Sequence, residues 1–400
     1  MAKETTKVSR FDALNWLQRW KDRDVIKVIT GIRRCGKSTV LRMAQDAFIQ
    51  AGTPKDSIVF LDLERMGFSA PTTPKDLYDL VVSSIKSDKS YIFIDEPQRI
   101  EGFEQVVDAL YAREDCDVYI TGSNSKLLSS ELGTLLTGRY VEYQLLPLSF
   151  AEYNSAFLDR VNTDTLFNQF ISLGSMPYVT ALPVEDVSEY LDAVLNTILV
   201  KDVAMRHPRI NMVVMRALLA FLADNIGNRF SLKTIANTLT NEGIKISPTT
   251  VGEYLSALTE CYLIFKAEPY DAKGRTILQQ GGKYYLGDLG FRHLLLGRDS
   301  GDLGHRIENA VYLELLRRYR TVRVGRVGER EIDFIADDKG KPHYFQVSLS
   351  VLDEKTLRRE LKPLELIEDA YPKTLLTLDR VGVEDHNGIN QLNLIDWLLE

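Results

Sequence analysis

The feature that most constrains this chain is the octapeptide GIRRCGKS at positions 31–38, which follows the apolar run VIKVIT and opens an amphipathic stretch ending near Gln50. A strand that turns into a helix through a loop bracketed by two glycines fits few architectures, because strand and helix must both pack while the loop amides stay free. The surroundings agree. Between residues 25 and 145, short apolar runs (SIVFLDL, YIFID, VYITG) alternate with helix-like segments near 77–85 and 103–112. This is the alternation of a parallel sheet with crossover helices, and strands so nearly devoid of polar positions are buried on both faces. The expected fold class is α/β, with a P-loop core.

The octapeptide matches G-x-x-x-x-G-K-[ST] at every fixed position. The segment Gly31, Ile32, Arg33, Arg34, Cys35 and Gly36 can wrap a triphosphate with its amide hydrogens inward, and the helix opening near Lys37 adds its N-terminal partial positive charge. Lys37 should reach the outer phosphates, Ser38 should hold Mg²⁺, and Thr39 closes the segment. ATP with magnesium is therefore the expected ligand. In YIFIDEPQRI the strand ends in Asp95 and Glu96. Asp95 is expected to order the magnesium shell and Glu96 to polarise a water for attack on the γ-phosphate. VYITGSNSKLL sets Thr121, Ser123 and Asn124 at a third strand end, a place for a polar side chain between the other two motifs. In LLTGRY, Arg139 precedes the strand VEYQL, and an arginine offered to a neighbouring copy's γ-phosphate would stabilise transition-state charge.

Composition sets the bounds. The 400 residues, 44% hydrophobic and 26% charged, allow two or three domains. No run of about eighteen apolar residues is present, and the N-terminal stretch lacks a signal-peptide core, so a cytoplasmic address is expected. Cys35, Cys116 and Cys261 lie far apart, and the five histidines are scattered, which suggests neither a disulfide framework nor a zinc site. A net charge of −7 argues against coating nucleic acid non-specifically but leaves room for a local basic patch.

Four parts are expected along the chain. Residues 1–150 form the ATPase core. Residues 151–225 read as a helical lid, broken by GSMP at 174–177 and by His207-Pro208. Residues 226–300 read as helix, turn, helix and β ribbon, the layout of a winged helix, with Ser247 as N-cap and Pro248 in the first turn of the second helix. Between Arg229 and Lys283 that part is mildly basic, with Arg229, Lys233, Lys245, Lys266, Lys273, Arg275 and Lys283 against Glu242, Glu253, Glu260, Glu268 and Asp271. Residues 301–400 read as a small α/β module after the polar linker GRDSGDLGH. Its strand region RRYRTVRVGRVGER carries Arg317, Arg318, Arg320, Arg323, Arg326 and Arg330, an electrostatic footprint that DNA would fit.

Together GIRRCGKST, YIFIDEPQ, YITGSNSKLLSSELGTLLTGRY, PLSFAEY, GSMP, YLSALTECYLIFKAEPYD, KYYLGDLGFR, H-x-x-EN, EIDFIA and FQVS resemble the large prokaryotic AAA+ family whose C-terminal half is a domain of unknown function. The resemblance spans nearly the whole chain. It implies an AAA+ core with Ser123 or Asn124 in the polar sensor position and Arg139 in that of a trans-acting arginine, hence an oligomer. A small helical part and winged helix would follow, as in archaeal ATPases.

The last part resembles the restriction-endonuclease-like fold, which implies a metal-gathering set at Glu308, Asp333 and Gln346. Ser348 stands where that fold has a lysine, and a neutral hydroxyl cannot supply a fixed positive charge. A module without cleavage activity is expected. Two function classes follow: an oligomeric motor or switch acting on DNA, and an ATP-held switch that binds a protein partner.

Overall fold

A computed structural model of the chain describes residues 8–125, 136–157, 161–274, 276–278, 281–297, 302–380 and 384–400. They fall into two compact units: Ser9–Pro147 with Glu260–Tyr262, and Leu148–Thr259 with Leu263–Glu400.

The first unit begins with α1 (Phe11–Trp20) and continues as β1 (Ile26–Thr30), α2 (Lys37–Gln50), β2 (Ile58–Asp62), α3 (Pro74–Ser84), β3 (Ser90–Asp95), α4 (Phe103–Tyr111), β4 (Cys116–Gly122) and β5 (Tyr140–Gln144). The strands form one parallel sheet in the order β2-β3-β4-β1-β5. The α/β expectation holds, and β1 and β3 are buried along their whole length. Burial on both faces leaves no room for an uncompensated charge. Lys27, the one charged residue of β1, accordingly pairs with Asp117 of β4 and donates to the Arg23 carbonyl at 2.7 Å. Pro74 at the first turn of α3 and a reciprocal Thr73–Asp76 cap fix that helix's start.

The second unit opens with α5 (Phe150–Ser155), α6 (Thr163–Leu173), α7 (Val187–Thr197), α8 (Met212–Asp224), α9 (Leu232–Asn241) and α10 (Pro248–Glu260). Ser247 Oγ accepts from the Thr250 amide at 3.1 Å, capping α10. Then come β6 (Ile264–Ala267), β7 (Pro269–Asp271), β8 (Thr276–Ile277), β9 (Lys283–Leu286), α11 (Gly290–Leu296), α12 (Leu303–Arg318), β10 (Thr321–Val327), β11 (Arg330–Asp338), β12 (Lys341–Ser348), α13 (Glu354–Glu365), β13 (Lys373–Thr377), β14 (Glu384–Asp385), β15 (Ile389–Asn393) and α14 (Leu394–Leu399).

β6 and β9 form an antiparallel ribbon. The other strands make one eight-stranded sheet in the order β14-β15-β13-β12-β11-β10-β7-β8. Its last two strands come from before residue 300, so the boundary expected there cuts through a sheet. The reason is the exposed backbone of β10, whose free edge is satisfied by parallel pairing with β7.

The GSMP turn has a specific cause. Gly174 has φ +81°, and a Cβ there would meet Asp288 Oδ1 at 2.0 Å. Asp288 accepts from the Ser175 amide at 2.7 Å, the Ser175 hydroxyl at 3.2 Å and the Gly290 amide at 2.8 Å, tying the GSMP turn to the start of α11. No helix among the described residues is long and apolar enough to cross a membrane.

Candidate functional site

The carboxyl ends of parallel strands are where α/β sheets place ligand-binding loops. β1, β3 and β4 deliver theirs side by side. The turn after β1 needs its glycines: Gly31 sits at φ +148° with Leu145 O only 2.1 Å from where a Cβ would stand, Arg34 at φ +71° and Gly36 at φ +106°. The left-handed Gly36 ends the turn and lets α2 begin at Lys37. The Cys35 amide donates to Ile32 O at 3.2 Å, and the Lys37 ammonium, buried, donates to Gly31 O at 3.0 Å and Ile32 O at 3.3 Å. Arg34 and Thr39 are exposed, Ile32 and Cys35 buried, and Arg33 lies 3.6 Å from Glu64.

Asp95 is buried and hydrogen-bonded by Ser38 and, at 2.6 Å, by the Thr121 hydroxyl. Burial raises its carboxyl above the usual range, with the two hydroxyls opposing. Glu96, at φ +57°, lies 3.7 Å from the Lys37 ammonium and accepts from Gln98, and its amide donates to Thr121 Oγ1 at 3.0 Å. A non-glycine residue held left-handed between two motifs stores strain of a kind that clusters at functional sites. The donor set suits a magnesium nucleotide: a hydroxyl and a desolvated carboxylate in contact, beside a glycine cradle that a Cβ would fill.

Asn124 and Ser123 are buried just past β4, while Thr121 makes the direct link to Asp95. Residues 126–135 of the stretch YITGSNSKLLSSELGTLLTGRY, together with Arg275 and residues 298–301 of the linker, lie outside the described residues. Arg139 is not brought to this cluster. The register Ile26↔Tyr140 puts it at the amino end of the sheet, opposite the loop, where it pairs with Asp108 at 2.6 Å and lies 5.7 Å over the Tyr111 ring. Sequence reasoning missed Arg10, whose guanidinium donates to Cys35 O at 3.0 Å and Leu146 O at 2.6 Å and so braces the loop from beneath. A lone arginine more than twenty residues upstream carries no motif.

Glu308, Asp333 and Gln346 lie on α12, β11 and β12, and a lysine joins them. Glu308 on α12 meets the Lys283 ammonium of β9 at 2.9 Å and the Tyr285 hydroxyl at 2.7 Å. Lys283 also pairs with Glu331, and Arg229 reaches Glu331 at 2.8 Å. Asp333 Oδ2 accepts from the Val347 amide at 2.8 Å, and Gln346 donates to Glu360 at 2.9 Å. Ser348 donates instead to Ser350 O at 3.3 Å.

Lys283 and Arg229, counted from sequence among the basic charges open to DNA, are thus engaged by carboxylates, and Lys283 is 3% exposed. Burial opposes the Lys283 charge, but Glu308, Asp333 and Glu331 outweigh it and raise the ammonium well above the ordinary lysine value. Burial, and then Glu308, push Asp333 well up. Among the described residues no three His, Cys, Asp or Glu side chains are arranged to hold a metal.

The arginine strand is largely engaged as well. Arg317 and Arg318 pair with Glu314 at 3.1 and 2.7 Å, Arg326 pairs with Glu329 at 3.1 Å, and Arg323 lies 5.3 Å over Tyr270. A bulge between Arg323 and Gly325 shifts the alternation, so that Thr321, Arg323 and Arg326 share the less buried face. Arg320 is exposed.

A chain with this loop, sheet order and flanking carboxylates has the fold of a P-loop ATPase, and residues 23–154 match the AAA domain family. Residues 164–302 match a domain of unknown function, DUF8612. An uncharacterized protein of Haemophilus influenzae is 35% identical, over 98% of this chain and 99% of that one. Another, of Methanocaldococcus jannaschii, is 30% identical over 90% of this chain and 81% of that one. This chain belongs to the same family as these two proteins, and its N-terminal part is an AAA domain of the nucleotide-binding ATPase class. Among solved structures, a Walker-type ATPase of Pyrococcus abyssi superimposes with a TM-score of 0.52 at 16% identity, over 72% of this chain and 95% of that one, a likeness of fold.

Proposed function

We propose that this chain binds ATP with Mg²⁺ at residues 31–39 and hydrolyses it, acting as an oligomer. The observation that carries this reading is the meeting of Lys37, Ser38, Asp95, Glu96 and Thr121 at three adjacent strand ends. Lys37 exchanges its two loop carbonyls for phosphate oxygens. Ser38 and Asp95 hold the metal, which supplies neutralising charge to those oxygens. Glu96, steadied by Gln98, polarises the attacking water, and Asn124 contributes a polar contact beyond Thr121. Arg139, at the far end of its own sheet, can act only on another copy's nucleotide, so the active form is an assembly in which each copy completes its neighbour's site.

DNA is the proposed second ligand, gripped through the helices around α10 and the face bearing Arg320, Arg323 and Arg326. The Glu308 cluster takes no part in cleavage, because Lys283 and Arg229 already engage Glu308 and Glu331 and Ser348 supplies no fixed positive charge. MgATP turnover measured against protein concentration, with and without duplex and branched DNA, tests both parts. A rate per chain that climbs with concentration and with DNA supports the reading. A rate that climbs with concentration and ignores every DNA form leaves the oligomeric ATPase standing and replaces DNA with a protein partner. Turnover that is independent of concentration removes the trans arginine.

A further inference from the structure

The second unit contains a cavity of about 380 Å³ that no part of the ATPase reading uses. One wall is a face of α6, with Gln169 and Ser172. Arg292 of α11 and Arg306 in the first turns of α12 also line it, with Ile171 and Leu289 among its apolar residues. Its volume is that of a small-molecule site, and its mix of apolar lining with a few convergent polar groups is what such sites share.

Two guanidinium groups lining one small cavity need an explanation. Arg292 is 4% exposed, and its Nε donates to the Ala223 carbonyl at 3.1 Å. Burial, and then the charge of Arg306, lower its pKa, with Asp224 and Asp302 opposing. Neither of those carboxylates lines the cavity. Arg306 donates to the Ser172 hydroxyl at 3.2 Å, its Nε is buried without a hydrogen-bond partner, and among the described residues it forms no ion pair. An arginine at a cavity wall with a buried Nε lacking a hydrogen-bond partner and no ion pair among the described residues is satisfied by an anion in that cavity, and the neighbouring charge of Arg292 adds to the pull. Planar guanidinium forks match carboxylate and phosphate oxygens two at a time.

We propose that this cavity is a binding site for a small organic anion, a carboxylate or phosphomonoester with a compact apolar body, its charged end held by Arg292 and Arg306 and its body against Ile171 and Leu289. The site is separate from the nucleotide loop and does not depend on the ATPase reading.

Calorimetry with phenyl phosphate and benzoate, and with uncharged benzamide as the control, tests it in two backgrounds, the full chain and its Lys37→Ala variant. One anion per chain is expected to bind in both, at least tenfold more weakly in Arg306→Gln, with benzamide silent. Arg292 is buried deeply enough that its removal could unfold the chain, so Gln169→Trp serves as the second variant. It fills the cavity from a half-buried position and should abolish binding while circular dichroism stays unchanged. Binding that vanishes in Lys37→Ala belongs to the nucleotide loop and overturns the proposal. So do benzamide binding as well as benzoate, Arg306→Gln binding like the wild type, and an absence of binding by either anion.

Discussion

The nucleotide loop and the Glu308 cluster each set a buried lysine among carboxylates, and the partners of that lysine separate them. Lys37 takes two backbone carbonyls and stands 3.7 Å from a single carboxylate. Lys283 takes Glu308 and Glu331 together, with Tyr285 sharing Glu308. A carbonyl is a neutral partner that an incoming phosphate can outbid, because a charge-assisted hydrogen bond is roughly twice as strong as one to a neutral acceptor. With Arg229 also on Glu331, two cations and two carboxylates form a closed charge balance, and removing Lys283 leaves Glu308 without its cation. The first arrangement receives a ligand, while the second occupies its own ligand position.

The sharpest test of the first half of that comparison is also the largest effect. Lys37→Ala should lose ATP binding altogether, measured with a fluorescent nucleotide. Glu96→Gln should keep ATP affinity within a few-fold and lower turnover by about 10²–10⁴-fold, since only the water-polarising group is gone. Near wild-type turnover by Glu96→Gln would move the catalytic carboxylate elsewhere.

Arg139 tests whether the loop is complete within one chain. Arg139→Ala should lower turnover by about 10³-fold, the lower end of what such arginines contribute. Mixing it with Lys37→Ala chains should restore part of the rate, because some interfaces then join a sound loop to a sound arginine. If the mixture gains nothing, the Asp108 pairing is the whole role of Arg139.

For the second half, Lys283→Met should cost about 3–5 kcal/mol in urea unfolding, the usual consequence of leaving a buried carboxylate without its cation. Adding Glu308→Gln should recover part of that loss, as neighbouring charges are not additive. A cost under about 1 kcal/mol would mean that Lys283 does not balance the cluster, and the contrast with Lys37 would fall.

The same contrast decides what the sequence discloses. The loop is legible because its chemistry is contiguous: eight residues at one strand-to-helix junction supply cradle, cation and hydroxyl, and β3 and β4 end in the residues that meet them. Arg10 was not, since a guanidinium bracing carbonyls from below demands no particular spacing. The Glu308 cluster was half legible. Glu308, Asp333 and Gln346 lie on α12, β11 and β12 in a familiar order, but Lys283 reaches them only through the β6–β9 ribbon, a pairing that no local pattern encodes. The arginine strand was half legible for a related reason. Periodicity shows six arginines, while the bulge at Arg323 and the carboxylates of Glu314 and Glu329 decide which remain available.

The smallest effect concerns a carboxylate that neither site contains, and its sign can be worked out. Burial raises the Asp288 carboxyl to about 6, with the Ser175 and Gly290 amides opposing. In the unfolded chain it returns to the ordinary value near 3.8. Between those two values the folded state holds the proton more tightly than the unfolded one. Its contribution is therefore complete below about pH 4 and is lost as pH rises to about 6, at no more than about 1.4 kcal/mol per pH unit. Asp288→Asn should remove that slope. It should also carry a pH-independent cost of about 1–3 kcal/mol, because one oxygen cannot accept from both Ser175 and Gly290. Hydrogen exchange of those two amides from pH 4.5 to 7 separates slope from offset. Wild-type protection that falls across the window while the variant stays flat places the burial of Asp288 behind the slope. Parallel profiles would show that Asp288 ionises normally and that its hydrogen bonds fully replace the water it gave up.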